Sequence, residues 1–93
     1  MHLRISPSVR EKLKLKHGVS EKEILECFLN REGDTLEDDR DNNKTVPPTQ
    51  WFVALTNKGR VLKVCFVETI ANIEVKTAYD ANSEEIRIYA KYC

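Results

Sequence analysis

The side chains able to do chemistry gather in the second half of the chain. Arg60, Lys63, Lys76 and Arg87 are cations, Tyr79, Tyr89 and Tyr92 are phenols, and Glu74 is a carboxylate two residues from Lys76. A carboxylate that takes a proton, a cation that meets developing negative charge and a phenol that returns a proton form an acid–base set. Alternation along strands could bring these residues together on the sheet face turned away from the helices. Each also has an ordinary duty. An isolated lysine on a strand marks the solvent side, and Glu74, sharing a face with Lys76, can simply pair with it. Lys63 and Lys76 become neighbours only if the pairing of their strands lets them meet, which spacing does not fix.

Other reactive types point elsewhere. His17, within Lys16-His17-Gly18, sits where a helix C-terminus favours a positive imidazole, a structural duty. Trp51, the sole tryptophan, reads as a core filler before a base-stacking platform. Cys27, Cys65 and Cys93 are odd in number and widely spaced, so neither a disulfide framework nor a zinc site is indicated. The carboxylates Asp34, Glu37, Asp38, Asp39 and Asp41 lack the glycine and ligand spacing of a calcium loop. No metal and no cofactor is expected.

Fifteen basic and fifteen acidic side chains cancel, so net charge gives no argument for nucleic acid or membrane. Their order is polarised. Arg4, Arg10, Lys12, Lys14 and Lys16 make the start basic, while Glu32 and the carboxylates up to Asp41 make the middle acidic. No apolar run approaches the roughly 20 residues of a membrane span, and no signal-peptide core opens the sequence. The expectation is a soluble, cytoplasmic protein forming a single domain over 1–93.

The elements that must position these residues can be read from caps and apolar periodicity. His2 to Ile5 suits a short strand. Ser6-Pro7 then starts a helix running to about Lys16, with Val9 and Leu13 on one face and Gly18 at its end. Ser20-Glu21-Lys22-Glu23 is a capping box for a second helix, whose stripe is Ile24, Leu25, Cys27, Phe28 and Leu29. Residues 34–50 hold little to bury and read as one long acidic loop.

From Trp51 to Val67 two apolar runs flank Asn57-Lys58-Gly59-Arg60, a hairpin signal. A two- or four-residue loop would set Leu55 opposite Leu62, Val53 opposite Val64 and Trp51 opposite Phe66, making one fully apolar face. A three-residue loop with Gly59 in the left-handed region would shift parity and spread Lys63 and Arg60 over both faces. The even register is the expected one. Ile73, Val75 and Thr77 alternate as a third strand. Residues 84–92 then form a short helix or a fourth strand, with Ser83 or Asn82 as the cap and Glu84 and Glu85 favouring helix. The sum is an α+β domain, two N-terminal helices packed on one face of a small, mainly antiparallel sheet.

Three stretches resemble one family. Lys12 to Ile24, K-L-K-L-K-H-G-V-S-E-K-E-I, is similar to the K-H-G-V-S segment joining the two helices of BrnT-type toxins, members of the RelE/ParE superfamily. Thr56 to Val64 resembles their G-R-x-L-x-V hairpin, and Ile73 to Tyr79 stands where they have an isoleucine-rich strand ending in Ser-Ala-Arg. Here that strand ends in Ala78-Tyr79, and Lys76 is the nearby basic residue. The resemblance implies a RelE-like fold and a metal-independent endoribonuclease neutralised by an antitoxin protein, with RNA and a second copy of the chain as further partners. Lys63, Lys76, Arg60, Arg87, Tyr79 and Glu74 are then the candidate catalytic residues. The other reading is a non-catalytic protein-interaction module with the same fold.

Overall fold

The computed structural model describes residues 2–38 and 47–93. Strand β1 is Leu3–Arg4, and Ser6 opens helix α1, Pro7–Lys12, its hydroxyl accepting from the Val9 amide at 3.3 Å. The helix does not continue regularly to Lys16. Residues Leu13–His17 wind more widely, as a π-type turn, and end at Gly18 with φ 59°. The Gly18 and Val19 amides both reach the Leu13 carbonyl. Leu13 and Val19 are thereby held in the core at either end of the turn.

Helix α2, Glu21–Asn30, starts at the expected capping box, with Ser20 and Glu23 exchanging both bonds. Strand β2, Leu36–Glu37, lies in what the sequence suggested was uninterrupted loop, and β3 spans Thr49–Leu55. The acidic stretch is therefore a loop only in part. Its residues 39–46, with Asp39 and Asp41, lie outside the described residues. Strands β4, Val61–Glu68, and β5, Ile73–Asp80, follow. The last segment is helix α3, Ser83–Tyr92, capped by Asn82 and Glu85 in a second capping box.

The architecture is α+β with a five-stranded sheet in the order β1-β5-β4-β3-β2. The β2–β3, β3–β4 and β4–β5 pairings are antiparallel, and β1 runs parallel to β5, so the sheet is mixed. The hairpin departs from the expected register by one residue. Leu55 pairs with Val61, Ala54 with Leu62, Val53 with Lys63 and Trp51 with Cys65. The cause is the loop. Thr56 and Arg60 close it through a 2.8 Å backbone bond, and Gly59 takes φ 85°, so the parity is that of the left-handed glycine.

That shift re-sorts the faces. Phe52, Ala54, Leu62 and Val64 turn together into the main core with Ile24, Cys27, Leu13 and Val19. Phe28 closes over Phe52 and Phe66 at centroid distances of 4.9 and 5.4 Å. Each fully buried large side chain here contributes roughly 1.5 to 3 kcal/mol. Trp51, Val53 and Lys63 turn to the opposite face, where α3 lies across them. No helix among the described residues is long and apolar enough to cross a membrane.

Candidate functional site

Two of the expected catalytic residues meet on the α3 face. The register sets Lys63 directly opposite Tyr79, and one carboxylate oxygen joins them: Glu85 Oε2 accepts from Lys63 Nζ at 3.0 Å and from the Tyr79 hydroxyl at 2.8 Å. The other oxygen of Glu85 accepts from the Asn82 amide at 3.0 Å. One side chain thus starts α3 and fastens it to the sheet. Trp51 completes the cluster, with Lys63 Nζ 4.4 Å from its ring centroid, inside cation–π range.

The cluster is enclosed. Lys63 is only 9 % exposed. Burial is the largest influence and works to neutralise its ammonium, but the bond it donates to Glu85 together with the negative charge of Cys65, Tyr79 and Glu85 leaves the Lys63 pKa above the ordinary lysine value. Burial also works against the Glu85 carboxylate. The Asn82 amide, Lys63 and the Tyr79 hydroxyl together hold it below the usual carboxylate range. The Tyr79 phenol is raised, by burial and by donating to a carboxylate. Glu85 was missed among the sequence candidates because it read as a helix-starting acid. The capping-box spacing to Asn82 was the signal that fixes its position.

Arg60 forms a separate cluster on the side of the N-terminal helices. Its guanidinium bonds Asp80 Oδ1 at 2.7 Å and Oδ2 at 3.0 Å, the Gly18 and His17 carbonyls at 2.8 Å each, and Glu23 Oε2 at 3.2 Å. Its pKa is raised by the Asp80 bond and, further, by Glu23, despite burial. Asp80 is lowered by the same contact. Glu23 is lowered first by the Ser20 amide and then by Arg60. Arg60 therefore ties the end of the first helical segment, the start of α2 and the end of β5 into one knot. His17 contributes its carbonyl there, and its ring lies 5.7 Å from that of Tyr79.

The remaining candidates are scattered. Cys65 pairs with Thr77 and Phe66 with Val75, so Lys76 is the extra residue of a β-bulge and is exposed. Glu74 pairs with Val67 beyond the bulge, which breaks the alternation that would have put it on the face of Lys76. Lys63 and Lys76 are not cross-strand neighbours. Arg87 is exposed on α3 in an ion pair with Glu84. Tyr89 is buried, donates to the Asp34 carbonyl at 2.6 Å and packs beside Trp51; Tyr92 is exposed. Trp51 is half-buried, packed against the core cluster and flanking the lysine.

A groove of about 880 Å³ lies elsewhere, along the C-terminal half of β3. Its lining includes the polar Asn30, Glu32 and Asn57 and the apolar Val53, Leu55 and Ala90. Among the described residues no group of three or more His, Cys, Asp or Glu gathers as a metal site would. No protein-family model matches this chain, and no curated protein matches it in sequence.

Proposed function

We propose that this chain is a RelE-like domain working as a protein-interaction module. The α+β architecture, with α2 and the preceding helical segment over a mainly antiparallel sheet, supports the RelE-like part of the reading. The observation that carries the binding role is the groove of about 880 Å³ beside β3. Of the four candidate cations, Arg60 is held by Asp80 and Glu23 and Lys63 by Glu85 within the domain, Arg87 pairs with Glu84 at the surface, and Lys76 is exposed. Co-purification with the product of the neighbouring gene tests this. A bound protein without DNA-binding character is the expected result; a chain that stays alone when every neighbour is supplied overturns it.

A second reading, a toxin-type endoribonuclease neutralised by an antitoxin, is favoured by the Glu85, Lys63 and Tyr79 cluster. A carboxylate, a cation and a phenol meeting within 3.0 Å of one oxygen are the groups that strand scission at a 2′-hydroxyl requires. Inducing the chain and following growth and transcript integrity tests it. Tyr79→Phe keeps the ring and removes the acid, so under this reading transcripts survive in the variant and are cut by the parent. Intact RNA with the parent chain rejects it.

A further inference from the structure

The groove beside β3 is bounded by an open strand edge. Thr56 exchanges backbone bonds with Arg60 and Gly59 across the loop, so its amide and carbonyl point towards β4. In an antiparallel pair this direction alternates residue by residue. Ala54, Phe52 and Gln50 therefore also bond to β4, and Leu55, Val53 and Thr49 present their backbone to the other side. Two contacts agree with this: Thr49 accepts from the Asp38 amide and Leu55 from the Asn30 side chain, both at the outer edge.

Among the described residues, strand β2 pairs with this edge opposite Trp51 and Gln50, and the Asp38 amide extends the cover to Thr49. Towards the hairpin loop the chain before β2 turns away, its Asp34 carbonyl held by Tyr89 and Gly33 packed against Cys93. Among the described residues none pairs with the amide and carbonyl of Val53 or with the amide of Leu55, which face outward beside the groove. An uncovered edge of this kind is a template for another strand.

The two walls differ in chemistry. Register places Val53, Leu55 and Val61 on the α3 side, where Ala90 completes an apolar wall, and Leu55 is 51 % exposed. On the α2 side Asn30 bonds Asn57 and Glu26 holds the Asn57 amide, so that wall is polar, and Glu32 is the charged side chain among the described lining residues. A strand laid on the edge would send alternate side chains to alternate walls.

We propose that this groove takes an extended peptide segment of a partner protein, added to the edge of β3, that alternates basic with small apolar side chains. Its backbone pairs with Val53 and Leu55, its basic residues meet the Glu32 wall and its apolar ones meet Val53, Leu55 and Ala90. This rests on the interaction-module reading and specifies its site and ligand.

The test uses capped octapeptides, one alternating lysine and valine, one alternating glutamate and valine, and one lysine–valine peptide with prolines in place of the valines. Hydrogen exchange of the whole chain is followed residue by residue. Saturating lysine–valine peptide is expected to slow the Val53 and Leu55 amides by about tenfold or more, while the proline peptide leaves them unchanged. Glu32→Lys, an exposed change, is expected to weaken that peptide about tenfold and to improve the glutamate one. Unchanged exchange at Val53 and Leu55 overturns the proposal, as does equal affinity for the two charged peptides. Ala90→Trp separates the two levels of inference by filling the groove. A natural partner that binds this variant as tightly as the parent overturns the groove assignment while the module reading stands. If neither peptide nor partner binds, both fall.

Discussion

Beneath α2 the sheet meets its helix through Phe28, Phe52 and Phe66, edge to face at 4.9 to 5.9 Å, with Ile24 and Cys27 fully buried beside them. Beneath α3 the contact is a lysine, a carboxylate, a phenol and a half-buried indole, and Tyr89 is the one buried residue of the helix. The first interface is non-directional and tolerates small shifts. The second depends on a few atoms at hydrogen-bond distance, so it fixes orientation more sharply than it stabilises. A carboxylate at the start of each helix nonetheless does the same double duty on both sides. Glu23 and Glu85 each close a capping box and grip a cation at the β4 end of the hairpin, Arg60 and Lys63 respectively.

The contrast can be broken most forcefully on the apolar side. Phe52→Ala is expected to cost about 4 kcal/mol, read as a fall in the denaturant midpoint, because a fully buried ring leaves a cavity among rings. On the polar side Glu85→Ala is expected to cost about 3 kcal/mol by the same measurement, since it strands an ammonium of which only 11 % of the side chain is exposed. If the second loss equals or exceeds the first, the two faces do not differ as described.

The polar side should also be the pH-sensitive one. The folded-state pKa of Glu85 lies below its ordinary 4.5, so its contribution is complete above that value and is lost as pH falls through the folded value. Stability of the parent is expected to drop as the solution is acidified below about pH 4.5, and Glu85→Gln should flatten that limb. Chemical denaturation at a series of pH values decides this; an unchanged acid limb in the variant assigns the sensitivity to Glu23 and Asp80 instead.

Smaller effects sharpen the picture. Arg60→Ala is expected to cost about 2 kcal/mol, charged hydrogen bonds discounted for a side chain and an Asp80 partner that are partly in water. Hydrogen exchange should then quicken at Gly18 and Val19, where the knot holds the helix end. Gly18→Ala is expected to cost about 1 kcal/mol through its φ of 59° alone, since a Cβ there meets nothing within 4 Å. A markedly larger loss would mean that the π-type turn stores strain.

Elements were more legible in the sequence than faces. Ser6-Pro7, the Ser20 and Glu23 box and Gly18 each act through local backbone chemistry, and each stands where its residue type demands. The hairpin register is different. From Trp51 to Leu55 and Val61 to Val67 nearly every side chain is apolar, so both parities offer an apolar face and alternation cannot choose. The choice fell to Gly59, one residue, and with it went the grouping of Lys63 with Arg60. The bulge at Lys76 has the same character, because an extra residue in one strand leaves no mark in composition. Lys63 and Tyr79 were legible as candidates by type, whereas their bridge through Glu85 required knowing that α3 crosses that face.

The doubled use of Glu23 and Glu85 bears on where the chain can absorb length changes. Ser20 to Glu23 and Asn82 to Glu85 are each fixed at three residues by the cap, and the same carboxylates are fixed again by a strand cation. One residue inserted within either first turn would sever the cap and the strand contact together. The residues leading in are held as well, Gly18 by Arg60, Val19 by Leu13 and Ala81 by Val61. Lineages of this domain should therefore hold constant length from Gly18 through the first turn of α2 and from Ala81 through the first turn of α3.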